Sequence, residues 1–306
     1  MKFLITGGTG LIGTRLSKLL IDNGHSVNIL TRKIKNQDNS GLKYFVWNTS
    51  KKTIDNKCID GVDVIINLAG SSVFSLWTKS NKKTILDSRR DALSTIYGLM
   101  QKKKNKVKRI ISASAIGIYP NHKSKVYYEN SNEISETFLG NVVYEWEKKA
   151  KIFRDFKIDL SIIRIGLVLS EKGGMFEKLL QLNNLGISSI IDSGNQCQSW
   201  IHIDDLVNIF LFISVNNING LVNGVAPNPV SFKELQNNIS SNYKKPFLSL
   251  NFPKSFLTIP LSLLGLSDFY NDVIGSNKRV SSKKIQDLGY KFISVSYTHL
   301  TLPTKA

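Results

Sequence analysis

The chain has 306 residues, 42% of them hydrophobic, enough for one large core or a core with a small satellite lobe. Its net charge of +18 comes from lysine spread along the whole chain beside abundant Asn and Ile, with no nucleic-acid-binding motif; it reads as codon bias rather than as a nucleic-acid partner. Two cysteines, no basic-then-apolar leader after Met1 and no uncharged run near the ~20 residues of a membrane span set the expectation of a cytoplasmic protein without a membrane anchor.

The first element is the β-branched run KFLIT, followed directly by TGGTGLIG, with Gly7, Gly10 and Gly13 at GxxGxxG spacing. Such glycines serve a tight turn, close approach of a pyrophosphate to the backbone, and close packing of helix on strand. An amphipathic stretch, LIGTRLSKLLIDNG, comes next, so Gly7, Gly10, Leu11, Ile12 and Gly13 are candidate dinucleotide contacts at a strand-to-helix turn. The second strand, SVNILT, ends in Arg32 and Lys33, where an acidic residue would select NAD(H). A guanidinium there pairs with a 2′-phosphate, which points to NADP(H); the alternative is an exposed basic turn. VDVIINLAG then ends in the small residues Ala69 and Gly70, against which a cofactor can lie.

A long helix is expected over TKSNKKTILDSRRDALSTIYGLMQ, and the basic run QKKKNKVKR reads as its solvated end. KRIISASA and LSIIRIGLVL follow as continuous apolar strands. Strand–helix alternation of this kind predicts a Rossmann-type, doubly wound parallel α/β sheet over residues 1–170. After about Ser170 the alternation loosens through WIHIDDLVNIFLFI, NGVAPNPVSFKELQNNI and PKSFLTIPLSLLGL, so residues 171–294 are expected to supply a late sheet strand and a small C-terminal α/β substrate lobe. VSYTHLTLPT reads as a translated sequencing adapter, so 295–306 is expected to be an artefact that replaces the natural continuation after Ser294.

With TGGTGLIG, LTRK, INLAG, LWT with DSR beyond it, SASAIGIY, WE, IRIGLVL, SWIHIDDLV and NGVAPNPV in place, the chain up to Ser294 resembles the short-chain dehydrogenase/reductase superfamily. More narrowly, it is similar to an atypical branch of the extended, epimerase-like members, the "epimerase family proteins". The resemblance implies NADP(H) contacts at Thr31, Arg32, Leu68, Ala69, Arg89 and Val168. On sequence alone Arg89 is equally a solvated helix residue.

Tyr144 and Lys148 in GNVVYEWEKKA have the superfamily's YxxxK spacing. The helix that carries them has an apolar face of Leu139, Val142, Val143, Trp146, Ala150 and Phe153, and at ~100° per residue Tyr144 and Lys148 fall opposite it, toward water. The resemblance agrees: matching the branch's WE to Trp146 and Glu147 puts Val143 at the tyrosine position and Glu147 at the lysine position. Candidate catalytic residues are then Ser114, at the carboxyl edge of its strand and matching the serine that polarises a carbonyl in relatives, and Glu147. Ser114 is equally a small residue packed under a cofactor, and Glu147 equally a salt-bridge partner. Asp204 reads as a helix cap and His202 as a packing residue; no spacing indicates a metal. The expected function is an NADP(H)-dependent oxidoreductase or epimerase-like enzyme on a small substrate, the alternative a redox-sensing dinucleotide-binding protein without turnover.

Overall fold

The computed structural model describes residues 1–33, 41–184, 187–191, 193–241, 248–252, 272 and 275–294; the PKSFLTIPLSLLGL segment and the tail 295–306 lie outside them. Two compact units interleave along the chain. One is built from Met1–Ala115, Asn141–Arg164 and Leu206–Val222, the other from Ile116–Gly140, Ile165–Asp205 and the described residues from Asn223 onward. Each unit is assembled from segments that are discontinuous in sequence.

The first unit is organised by an eight-stranded sheet. Its strands are β1 (Lys2–Thr6), β2 (Ser26–Thr31), β3 (Leu42–Asn48), β4 (Thr53–Ile54), β5 (Val64–Asn67), β6 (Arg109–Ala115), β8 (Asp159–Ile165) and β13 (Gly220–Gly224), in the order β13-β8-β6-β5-β1-β2-β3-β4. β1 pairs in parallel with β2 and β5, β2 with β3 and β5 with β6, while β4 turns back antiparallel on β3. This is the doubly wound order, with its switch point between β1 and β5. The strands are apolar without alternation because both faces are covered: Phe3, Leu4, Ile5, Ile65, Ile66, Ile110 and Ile111 are fully buried.

Helix α1 (Leu11–Asp22) starts at Gly10, and α2 (Lys79–Lys102) starts at Thr78, whose side chain accepts from Asn81 N. The basic run after α2 is engaged locally: Lys103 pairs with Asp60 at 2.6 Å and Lys106 with Asp63 at 3.3 Å. Buried Arg109 donates to Asp159 and to the carbonyls of Ile213 and Ser214, at the end of helix α5 (Ile203–Val215), which fixes the start of β6 against β8 and α5.

LSIIRIGLVL, expected as one strand, is two. β8 ends at Ile165, and β9 (Leu167–Leu169) pairs instead with β12 (Trp200–His202). Gly166 makes the break: its N–H donates to Gly224 O, and a Cβ there would come within 2.4 Å of Ser199 O, so only glycine fits where the chain changes partner.

Short pairings hold the second unit: β7 (Val126–Tyr127) with β16 (Arg279–Val280), β9 with β12, β10 (Ile187–Ile191) with β15 (Leu248–Phe252), and β11 (Cys197–Gln198) with β14 (Val230–Ser231). Its core gathers Leu169, Phe176, Trp200, Phe232 and Leu235 under helices α4 (Gly174–Asn184) and α6 (Phe232–Ser241). Buried Asp205 accepts from the Tyr290 hydroxyl and from the N–H groups of Ile293 and Ser294, which ties LGYKFIS into the unit. His202, not Asp204, caps α5: its Nδ1 accepts from Asp204 N at 3.2 Å, and Asp204 lies within the first turn.

Candidate functional site

The carboxyl edge of the sheet at the β1–β5 switch point is shaped by a buried polar row. Thr6, Asn67 and Ser112 occupy register-matched positions on β1, β5 and β6. Thr6 Oγ1 donates to Asn67 Oδ1 at 2.8 Å, and Asn67 Nδ2 donates to Ser112 Oγ at 3.3 Å. Thr6 Oγ1 also accepts from the N–H groups of Leu68 and Ala69, each at 3.1 Å. Residues 68–70 therefore leave β5 on a defined path beside the glycine turn.

Within that turn Gly7 has φ +65°, and a Cβ on it would stand 2.8 Å from Leu68 O. A Cβ on Gly13 would stand 2.3 Å from Gly7 O, so α1 approaches the turn as closely as the spacing predicts. A Cβ on Gly10 would meet only Gly7 O, at 3.3 Å, and otherwise open space. Gly10 also supplies no side-chain cap to the first N–H groups of α1, and Leu11 and Ile12 in its first turn are half-buried. A cavity of about 400 Å³ begins at Gly8 and Thr9 and runs between α1 and the β2–β3 face.

Thr31 is buried at the end of β2, and Arg32 and Lys33 beyond it are exposed. Arg89, on α2, is not a solvated helix residue. It is half-buried and donates to Ser71 O at 3.2 Å and Ile85 O at 2.8 Å, and burial pushes its guanidinium down to about 10. Its Cζ lies 4.9 Å from the centre of the Trp146 ring, and a Cβ on Gly70 would be 3.0 Å from it. Val168 is half-buried in β9, in the second unit.

Helix α3 (Phe138–Ala150) settles the register of the YxxxK. Val142, Val143, Trp146 and Ala150 are buried, whereas Tyr144 is 42% exposed and Lys148 is exposed. Glu147 points inward and is 4% exposed. Its Oε1 accepts from Ser114 Oγ at 2.7 Å and Arg164 Nε at 2.8 Å, and its Oε2 accepts from Arg164 Nη2 at 2.9 Å. Ser114, near the end of β6, is thereby brought together with Glu147 and with Arg164, which the sequence reading missed because it sits inside an apolar strand. The only sequence signal was a lone charge in LSIIRIGLVL, a residue type seldom buried unless paired. Arg164 balances the charge of Glu147 in a two-point pair, and the serine hydrogen is committed to the carboxylate.

Among the described residues no group of three or more His, Cys, Asp or Glu side chains comes together as a metal site, and no described helix is long and apolar enough to cross a membrane.

A parallel sheet in this order, with a glycine turn at the switch point, defines a Rossmann-type protein. The chain belongs to the NAD dependent epimerase/dehydratase family, whose sequence model matches residues 3–225. Epimerase family protein YfhF of Bacillus subtilis is 33% identical over 293 residues, covering 95% of this chain and 94% of that protein. Human epimerase family protein SDR39U1, solved with NADPH, superposes with a TM-score of 0.83 at 24% identity over 97% of each chain. UDP-glucuronic acid 4-epimerase from Bacillus cereus, solved with UDP-glucuronic acid and NAD, gives a TM-score of 0.74 at 17% identity, covering 96% of this chain and 95% of that one. The relationship implied by the motifs is the one found.

Proposed function

We propose that the protein is an NADP(H)-dependent oxidoreductase or epimerase-like enzyme acting on a small, nucleotide-linked substrate. The residues present fit the cofactor. The open space over Gly10, with uncapped N–H groups at the start of α1, suits a pyrophosphate, and Arg32 past the end of β2 suits a 2′-phosphate. NADPH in human SDR39U1 and UDP-glucuronic acid in the Bacillus cereus epimerase support the choice of cofactor and substrate class.

The observation that carries the reading is the buried hydrogen bond from Ser114 to Glu147. Bound NADP(H) supplies a hydride donor or acceptor. Arg164 holds Glu147, and Glu147 takes the hydrogen of Ser114, so the lone pairs of Ser114 Oγ are left to accept from a substrate hydroxyl. Ser114 is the proposed catalytic residue, and Glu147 acts through it as a positioning residue. The test is incubation with NADP⁺ and a panel of UDP-sugars, followed by the absorbance of NADPH and by chromatography of the sugar nucleotides. Turnover that disappears in Ser114→Ala supports the reading; turnover equal in Ser114→Ala removes the serine from it.

The exposure of Tyr144 and Lys148 favours a second reading, a dinucleotide-binding protein without turnover, because the superfamily's acid/base pair is then absent from the buried face of α3. NADPH binding without conversion of any member of the panel selects it.

A further inference from the structure

The face of the sheet that α1 packs on becomes less covered from β2 to β3. The two strands pair in parallel with Val27 opposite Leu42, Ile29 opposite Tyr44 and Thr31 opposite Val46, so these six side chains share one face. Those of β2 are buried, whereas Leu42 and Tyr44 are half-buried and Val46 is 40% exposed. The cavity of about 400 Å³ lies here, with Ile29, Leu42 and Tyr44 as its floor and Ile21 of α1 as an apolar side. Gly8 closes one end, so near the floor that a Cβ on it would stand 2.7 Å from the Ile29 side chain. This volume falls within the range of about 300–1,000 Å³ usual for small-molecule sites, and apolar surface that stays exposed beside a polar rim marks ligand grooves.

The rim supplies the polar chemistry. Lys18 and Asp22 stand one turn apart on α1, both exposed, with Nζ and Oδ2 4.0 Å apart, so the charges on the cavity lining balance. Exposed Thr14 spends its hydroxyl hydrogen on Gly8 O at 3.4 Å, which leaves its oxygen as an acceptor. Asp22 is a second acceptor, met by Lys18 only at the far limit of an ion pair. An apolar floor, a balanced rim and two exposed acceptors fit an uncharged ligand with an apolar body and a hydrogen-bond donor. The ring of Tyr44 on the floor favours an aromatic body, because ring pairs gain beyond their area burial. We infer that the cavity is a second small-molecule site, for an uncharged aromatic molecule that carries a hydroxyl or amino donor. It adjoins the glycine turn at Gly8 and Thr9 but is lined by neither Gly10 nor Arg32, so it stands independently of the NADP(H) reading.

2-Naphthol has this chemistry and serves as the probe; 2-methoxynaphthalene, which lacks the donor, is its control. In ¹H–¹⁵N spectra of the full chain, 2-naphthol should shift the amide signals of Lys18 and Leu42 with a dissociation constant of about 1 mM or tighter. The control should bind about fivefold more weakly, the weight of one neutral hydrogen bond. Leu42→Trp, which fills the cavity, should weaken 2-naphthol at least about tenfold and leave NADPH affinity within about twofold of wild type. Thr14→Val/Asp22→Ala, which removes both acceptors, should erase the difference between probe and control. No saturable shift in wild type overturns the inference, and so does equal binding of probe and control. Undiminished 2-naphthol binding in Leu42→Trp overturns it too, as does displacement of the probe by NADPH, which puts the probe in the dinucleotide site. Should Leu42→Trp not fold, the map of shifted amides in wild type decides, and shifts gathered away from α1 and β3 overturn the inference. If wild type binds 2-naphthol in this way but not NADPH, the cofactor reading falls and this one stands.

Discussion

Glu147 and Arg164 meet through two hydrogen bonds of 2.8 and 2.9 Å with both side chains more than nine-tenths buried. A pair this dry is stable only while complete, because either partner alone leaves a charge in a low-dielectric surrounding. Arg164→Met should therefore destabilise the protein by about 3–5 kcal/mol, while Glu147→Met/Arg164→Met recovers most of that loss. Urea denaturation of the two variants checks it; a single variant as stable as the double contradicts the pairing.

The glycine turn separates cofactor space from packing space. Gly10→Val should fold and lose NADPH binding, because its side chain enters the open space over the turn; Gly13→Val should not fold, because its Cβ collides with Gly7 O and Gly8. Circular dichroism beside calorimetry reads both outcomes.

On α3, Tyr144→Phe should leave NADPH affinity, and the turnover of any substrate found, within about threefold of wild type, since the phenol stands on the exposed face. A general acid lost at that position would cost about 10²–10⁴-fold. The two ranges do not overlap, so one rate comparison decides.

Acid stability should carry the mark of Asp159. The Arg109 guanidinium, then Asn219, holds its carboxyl below the usual carboxylate range against an opposing effect of burial. A depressed folded-state value stabilises the protein above the unfolded pKa of about 4, and the contribution is lost as pH falls through the lower folded value. Because the side chain is 40% exposed, solvent screening keeps that contribution small. Asp159→Asn should flatten the fall in stability below about pH 4; an unchanged slope contradicts the assignment.

Much of the fold is legible because each strand of the large sheet is buried on both faces and so reads as an unbroken apolar run; β2 matches SVNILT residue for residue. The orientation of Tyr144 is legible for a related reason, since the angle between helix positions depends on spacing alone. What escapes is set by partners distant in sequence. The break in LSIIRIGLVL is marked within it only by the lone Gly166, and what the chain does there is set by Gly224 and Ser199, distant in sequence. Arg164 reads as an oddity in an apolar strand until Glu147, 17 residues earlier, arrives from another element. The row Thr6–Asn67–Ser112 is likewise visible only once the strands are in register.

The most direct measurement of the central claim is the calorimetric titration of wild type and Arg32→Ala with NADPH and with NADH. A site built on the glycine turn, with Arg32 past the end of β2, should bind NADPH at least about tenfold more tightly than NADH, the weight of one charge-assisted hydrogen-bonded pair. In Arg32→Ala that preference should fall to near parity through loss of NADPH affinity alone. Equal affinities in wild type, or a preference that survives in Arg32→Ala, would contradict the account.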